Sequence, residues 1–175
     1  CPACRDGSRA LERHVFRESG HLIMDGYLQC AACRACYPIQ DGLLELVVPE
    51  LLDREGLGAF VRQYEQELGN APFGRPEHLS VTETSFDPQL EQRKHFDWYA
   101  ENEDQDYTSY QNTPFWRAED RLVFSRWHRR ISNQDGWLLD VGCADGRSAF
   151  QWVEIIKHVA GCDISKKMIR KAITR

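Results

Sequence analysis

Two groups of residues in this chain have the types and spacing to do chemistry. Near one end, Cys1-Pro-Ala-Cys4 and Cys30-Ala-Ala-Cys33 form two C-x-x-C pairs with 25 residues between them. Each pair can hold two thiolates on one tight turn, and two such turns supply the four sulfurs of a tetrahedral metal site. Near the other end, Asp140, Gly142, Ala144 and Gly146 are followed by Asp163, 21 positions after Gly142. Glycines let the backbone turn sharply and approach a ligand closely. An acid at the end of the next strand can accept hydrogen bonds from the hydroxyls of a ribose. An acid placed before the first glycine would repel a pyrophosphate and suits a positively charged amino group.

The elements that must position these residues follow from periodicity. Residues 11–16 and 21–29 straddle Glu18-Ser19-Gly20 and predict a hairpin between the cysteine pairs. Trp137–Val141 is an apolar run after Asp135-Gly136 and predicts a buried strand. Residues 148–158 predict a crossover helix, with Phe150, Val153 and Ile156 inward and Trp152 and Ile155 beside them. Residues 159–162 are then the next strand, with Asp163 just past its carboxyl end, where open α/β sheets bind ligands. Ser165 predicts the N-cap of a helix over 166–175, whose apolar positions are Met168, Ile169, Ala172 and Ile173.

The middle of the chain reads as a helical linker or lid. Leu57, Phe60, Val61, Tyr64 and Leu68 recur at helical steps within 51–68, and residues 88–100 predict another helix with Leu90, Phe96, Trp98 and Tyr99. Residues 70–76 are a Pro/Gly-rich break and the best domain boundary, while 101–106 read as an acidic, solvated loop. Residues 107–116 are rich in aromatics and hydroxyls. Pro114 suits a first helical turn capped by Thr113, and the helix over 114–130 would bury Leu122, Val123, Phe124 and Trp127. Arg117, Arg121, Arg126, Arg129 and Arg130 give it a basic face, most simply a solvated one.

At 175 residues and 42% hydrophobic, the chain has length for one or two domains and enough apolar content for a core. The formal net charge of −5 argues against a broad nucleic-acid surface. The charge is uneven, with 5 basic against 13 acidic residues in 51–113 and 12 against 7 in 114–175, so the middle is acidic and the end basic. No signal-like or transmembrane run is present, and a cytoplasmic location without membrane attachment is expected.

After the second cysteine pair the chain reads Tyr37-Pro-Ile-Gln-Asp-Gly42. With both pairs, residues 1–49 resemble the small zinc-ribbon domains of the Trm112-like family, which carry Tyr-Pro-Ile-x-Asp-Gly at this place. The resemblance implies structural zinc on Cys1, Cys4, Cys30 and Cys33. Other readings of the cysteines are two disulfides, a rubredoxin-like iron site and a redox C-x-x-C. His14 or His21 could stand in for a ligand, though two intact pairs make that unnecessary. Cys36 reads as a small core residue, and Cys143 and Cys162 lie at the two strand ends, near the loop.

Residues 114–175 resemble the first two motifs of class I S-adenosylmethionine-dependent methyltransferases. By that resemblance Asp140 binds the methionine amino end, directly or through water. Gly142, Cys143, Ala144 and Gly146 form the cofactor loop, Asp163 takes the ribose hydroxyls, and Ile164 packs on adenine. One departure is Ala144, where the family usually has glycine; a methyl group is tolerable there if φ is negative. Similar enzymes place an aromatic and an arginine upstream of the loop, which makes Tyr107, Tyr110 and Arg117 candidates. His95, His128 and Tyr110 are available as a base, each with a simpler structural reading, so the catalytic residue stays unassigned.

The expected fold class is α/β: a small β zinc ribbon (1–49), a helical linker or lid (50–113), and an incomplete Rossmann-like β-α-β methyltransferase core (114–175). The family's later strands, which flank the transferring methyl, have no counterpart, so a fragment of a longer protein, inactive alone, is expected. Open sheet edges would be covered by missing chain or by a second copy in a homodimer. The leading function is a methyltransferase using S-adenosylmethionine, with a small-molecule or sugar-like acceptor favoured over RNA or protein. The alternatives are a non-catalytic zinc-ribbon interaction module and a nicotinamide oxidoreductase. The latter is disfavoured by Asp140 before the loop and by the absent third glycine.

Overall fold

The computed structural model describes residues 1–4, 9–47, 51–69, 71, 73, 88–102 and 113–174. The chain divides into two compact units, Cys1–Phe86 and Asp87–Arg175. In the first, strands β1 (Leu11–Ser19), β2 (Leu22–Cys30), β3 (Cys36–Gln40) and β4 (Leu43–Leu44) form one antiparallel sheet in sequential order. Strand β1 runs past its predicted end at residue 16, because a bulge between Val15 and Arg17 takes up a register shift without ending the ladder, while β2 keeps its predicted length one residue further along. Asp41 and Gly42 both have positive φ, 50° and 78°, which is the geometry a two-residue turn needs to join β3 to β4.

Among its described residues this unit also has two helices, α1 (Arg54–Gln63) and α2 (Glu65–Leu68). The Asp53 carboxylate caps α1 by accepting the Gly56 N–H at 3.1 Å. Leu57, Phe60 and Leu68 pack with Tyr27 and Cys36 of the sheet, flanked by Phe16, Tyr64 and Phe73. Phe16 and Tyr64 stack at 4.7 Å, and Tyr27 meets Phe73 edge-on at 5.2 Å. The predicted continuous helix over 51–68 is instead two, broken at Tyr64 (φ −115°, ψ 29°). The Tyr64 hydroxyl donates to buried Asp25 at 2.7 Å, a long-range bond that apolar spacing cannot reveal.

Asp25, 4% exposed, is the hub of that contact. It also accepts from Arg17 Nε at 2.5 Å and from the Asp41 N–H at 3.0 Å. Burial pushes its carboxyl up, but Arg17, the Asp41 N–H and Tyr64 together outweigh it and hold the pKa below the ordinary value of 3.8. A depressed carboxyl contributes stability above its unfolded pKa and loses it as pH falls through the folded one. We therefore expect Asp25→Asn to lower stability by about 2 kcal/mol at neutral pH. That difference should close as pH drops below 3.8. Urea unfolding at neutral pH and a carbon-13 titration of the Asp25 carboxyl check the two halves; an Asp25 that titrates at or above 3.8 contradicts this account.

The second unit contains α3 (Pro88–Glu101), α4 (Pro114–His128), β5 (Trp137–Val141), α5 (Arg147–Trp152), β6 (His158–Cys162) and α6 (Lys166–Thr174). Strands β5 and β6 pair in parallel, Trp137 opposite His158 through Val141 opposite Cys162. Ser165 caps α6, its hydroxyl accepting the Met168 N–H at 3.1 Å. Thr113 makes no side-chain cap bond to α4.

Two expectations about this unit are corrected. Helix α5 ends at Trp152 rather than 158, because the Ile155 and Ile156 N–H groups turn back onto the Trp152 carbonyl and the Lys157 N–H pairs with Gln134. Burial also differs. Of the apolar residues assigned to the cores of α4 and α5, Leu122, Val123, Trp127, Phe150 and Val153 are exposed, while Ile156 is buried. Helix α4 instead turns the half-buried stripe Trp116, Asp120 and Phe124 inward. Phe124 packs on Trp152 at 4.7 Å and Asp120 pairs with Arg147. Strand β5 is likewise open on one face, with Trp137 77% and Val141 75% exposed.

Candidate functional site

The two cysteine pairs converge. Cys1 and Cys4 lie on the turn before β1, Cys30 ends β2, and Cys33 lies on the turn that leads to β3. Their four sulfurs all lie within 4.8 Å of one another. Cys1 Sγ is 3.6 Å from Cys33 Sγ, and Cys4 Sγ is 3.8 Å from Cys30 Sγ. Metal–sulfur bonds of about 2.3 Å in a tetrahedron put sulfurs roughly 3.8 Å apart, so the spacing fits a metal ion. It is far beyond the disulfide bond length of about 2.05 Å. A redox C-x-x-C would use one pair, whereas each close approach here joins the two pairs.

The second turn is built to hold a thiolate. The N–H groups of Cys33 and Ala32 point at the Cys30 sulfur and pull its thiol down to about 7. Arg34 closes the turn with φ 63°, its N–H bonded to the Cys30 carbonyl at 2.9 Å. Cys4 is pushed up to about 11, first by its hydrogen bond to Cys33 and then by burial, as expected for thiols crowded together without a cation. Tyr37 completes the site in a way the sequence left unread. Its hydroxyl lies 3.1 Å from Cys1 Sγ and accepts the Ala3 N–H at 3.1 Å, which ties the first turn to β3. The motif tyrosine that suggested a family is thus a strut of the site. His14 stacks on Tyr27 at 4.3 Å and His21 lies in the β1–β2 turn; neither joins the cluster. Cys36 belongs to the core, where the Gln29 amide donates to its sulfur at 3.2 Å.

At the other end, the loop from Gly142 to Gly146 leaves the carboxyl end of β5. Gly142 and Cys143 both donate N–H bonds to the Cys162 carbonyl, at 2.7 and 3.1 Å. Gly142 and Gly146 have φ of 79° and 80°. Added bulk on Gly142 would meet nothing within 4 Å, so space lies open over the turn. Asp140 stands at the end of β5 with Oδ2 buried and without a hydrogen-bond partner among the described residues. Burial raises its carboxyl above the ordinary range, the Ala149 N–H draws it back, and the charge of Asp163 adds to the rise. Cys143 is buried with its sulfur against Gly161, where a Cβ would come within 2.7 Å of it. Cys162 is exposed, and Ile164 is half-buried.

Asp163 does more than face outward. Oδ2 accepts the Ala144 N–H at 2.9 Å and Oδ1 accepts the Ser165 N–H at 2.8 Å, so this carboxylate staples the loop to the start of α6. Ala144 itself departs from the expectation of a negative φ. Its φ is 47°, a left-handed conformation that an L side chain disfavours by about 1 kcal/mol. Ala144→Gly should relieve that strain and, after glycine's greater freedom in the unfolded chain is allowed for, stabilise the unit by up to about 1 kcal/mol. A lower melting temperature for the variant would contradict the left-handed assignment.

Among the other candidates, Arg117 is exposed on α4 and lines an open cavity of about 650 Å³ with Arg121, Phe124 and Phe150. His95 has ring contacts with Phe96 and Tyr99 of its own helix, and His128 with Phe124 of its own. Tyr107 and Tyr110 lie outside the described residues. Among the described residues no helix is long and apolar enough to cross a membrane.

Comparison with protein-family models, with curated proteins and with solved structures found no match to this chain. Sequence and geometry define it as a mixed α/β protein whose N-terminal antiparallel sheet carries four cysteines positioned to bind a metal ion.

Proposed function

We propose that this chain is part of an S-adenosylmethionine-dependent methyltransferase whose N-terminal unit is a zinc ribbon of the Trm112-like kind. The observation that carries the reading is the strand-end loop. It combines a buried Asp140 oxygen without a partner among the described residues, an open left-handed turn at Gly142, and Asp163 at the end of the parallel neighbour. A ligand with a cationic amino group would give the Asp140 oxygen its missing partner. A ribose would use the lone pairs of Asp163 that the Ala144 and Ser165 N–H groups leave over. A pyrophosphate would be repelled by Asp140, which disfavours a nicotinamide dinucleotide.

The cofactor brings a methyl group already activated on a sulfonium, so the protein mainly has to orient and desolvate. On this reading Asp140 and the Gly142–Gly146 backbone hold the amino-acid end, Asp163 fixes the sugar, and Ile164 borders the base. The parallel β5-α5-β6 unit is then the beginning of a Rossmann-like core. Zinc is preferred to iron for the four thiolates because the proposed role is structural and zinc has no redox chemistry of its own. A small or sugar-like acceptor and a cytoplasmic setting complete the proposal, together with a second copy or further chain against the open face of β5.

Calorimetric titration of S-adenosylhomocysteine into the zinc-loaded chain tests it, with NAD as competitor. Micromolar binding that NAD does not displace is the expected result. Absence of binding by metal-loaded, folded protein would leave the strand-end loop as scaffold and favour an interaction module built on the ribbon.

A further inference from the structure

We infer that Asp97, on α3, is a positioning residue for the strand-end loop, acting through Ser165 and Asp163. The inference deepens the cofactor-site reading and rests on it for its binding arm alone. Asp97 lies 45 to 49 positions before the loop, and nothing in the local sequence links the two.

The connection is a chain of short hydrogen bonds. The Ser165 hydroxyl donates to Asp97 Oδ1 at 2.5 Å. The same Ser165 oxygen accepts the Met168 N–H at 3.1 Å, so Asp97 fixes the rotamer of the residue that caps α6. The Ser165 N–H donates to Asp163 Oδ1, and Asp163 Oδ2 accepts the Ala144 N–H. Asp97, Ser165 and Asp163 therefore run in series from α3 to the loop, Ser165 joining the two carboxylates through its hydroxyl on one side and its main-chain N–H on the other. Ser165 is 0% exposed, so its hydroxyl must keep a partner inside the protein. Asp97 is held from behind by Arg93, a buried residue one turn earlier on α3, with Nε 3.7 Å from Oδ2.

The physical logic concerns Asp163. A carboxylate at the end of a strand can rotate, and a ribose needs its free lone pairs in one direction. Bonds from Ala144 and Ser165 stop that rotation only while Ser165 stays where it is. Asp97 secures Ser165 from the other side, and Lys167 adds an ion pair to Glu101 between the same two helices. Loss of the Asp97 acceptor would free the Ser165 hydroxyl, loosen the start of α6, and release the left-handed Ala144 turn, which carries strain of its own.

The test compares Asp97→Ala, which removes the acceptor, with Asp97→Asn, which keeps an oxygen at the Oδ1 position. Hydrogen exchange at the Ala144 amide reads the loop directly and needs no ligand. We expect Asp97→Ala to lower its protection roughly tenfold, with amides in the β5–β6 ladder little changed, and Asp97→Asn to restore it. S-adenosylhomocysteine affinity should fall roughly tenfold in the alanine variant and recover in the asparagine one. Should Asp97→Ala not fold, Asp97→Ser, too short to reach Ser165, takes its place. Unchanged Ala144 protection in the acceptor-less variant overturns the inference, as does equal damage from Asn and Ala. If wild-type protein does not bind the nucleoside, the cofactor reading fails, while the exchange data still decide the role of Asp97.

Discussion

Cys30→Ala, or removal of the metal by a strong chelator, is expected to unfold the unit that spans Cys1–Phe86. Cys30 is fully buried, accepts two backbone N–H groups on its sulfur, and joins β2 to the turn before β3. Without a cation, four sulfurs within 4.8 Å of one another cannot all carry charge, and the hydrogen bond to Cys33 and burial push Cys4 up to about 11. Structural zinc in small domains contributes on the order of 10 kcal/mol at neutral pH, comparable with the whole stability of a domain this size. Loss of the near-ultraviolet signal of the Phe16–Tyr27–Phe60–Tyr64 cluster would report the collapse. Cys36→Ala is the internal control. It removes the same atom from a buried site outside the cluster, and should cost only about 1 kcal/mol. A Cys30 variant that unfolds as cooperatively as wild type, within about 1 kcal/mol, would refute a metal-dependent fold.

The second large effect is expected at Asp163. Asp163→Ala deletes both acceptors that hold the loop to α6 and leaves the N–H groups of Ala144 and Ser165 without their partner. Charge-assisted bonds of this kind contribute about 1.5–3 kcal/mol each, so a loss of roughly 3 kcal/mol in the stability of the second unit is expected. On the cofactor reading the same change removes the ribose contact. S-adenosylhomocysteine affinity should then fall by about 100-fold or more. The two readouts separate structure from function. Lost stability with no nucleoside binding even in wild type would make Asp163 a staple only. Native stability in the alanine variant would contradict the loop geometry itself.

Several features were readable before any coordinates. The C-x-x-C spacing brought two thiols onto each turn because so short a loop has few other shapes. The strand over Trp137–Val141 and the Ser165 cap followed from an apolar run and from a hydroxyl placed three residues before an orphan N–H. Each is decided within a handful of residues, so the local pattern is sufficient. Apolar periodicity was misleading at α4 and α5, where it marks which side chains are greasy but not which of them finds a neighbour. The left-handed φ of Ala144 was equally hidden, because an alanine carries no sequence signal for that conformation.

The sequence alone determined the chemistry on offer: four thiols in two close pairs, and two acids around a glycine turn. Tertiary structure decided what those groups meet. It merged the cysteine pairs into one cluster braced by Tyr37, and it broke a helix at Tyr64 to reach Asp25. It also set Asp97 behind Ser165 and Asp163. Those long-range contacts join residues 26 to 68 positions apart. A hydrogen bond at that separation depends on where two elements pack, and no spacing rule within either element contains that information.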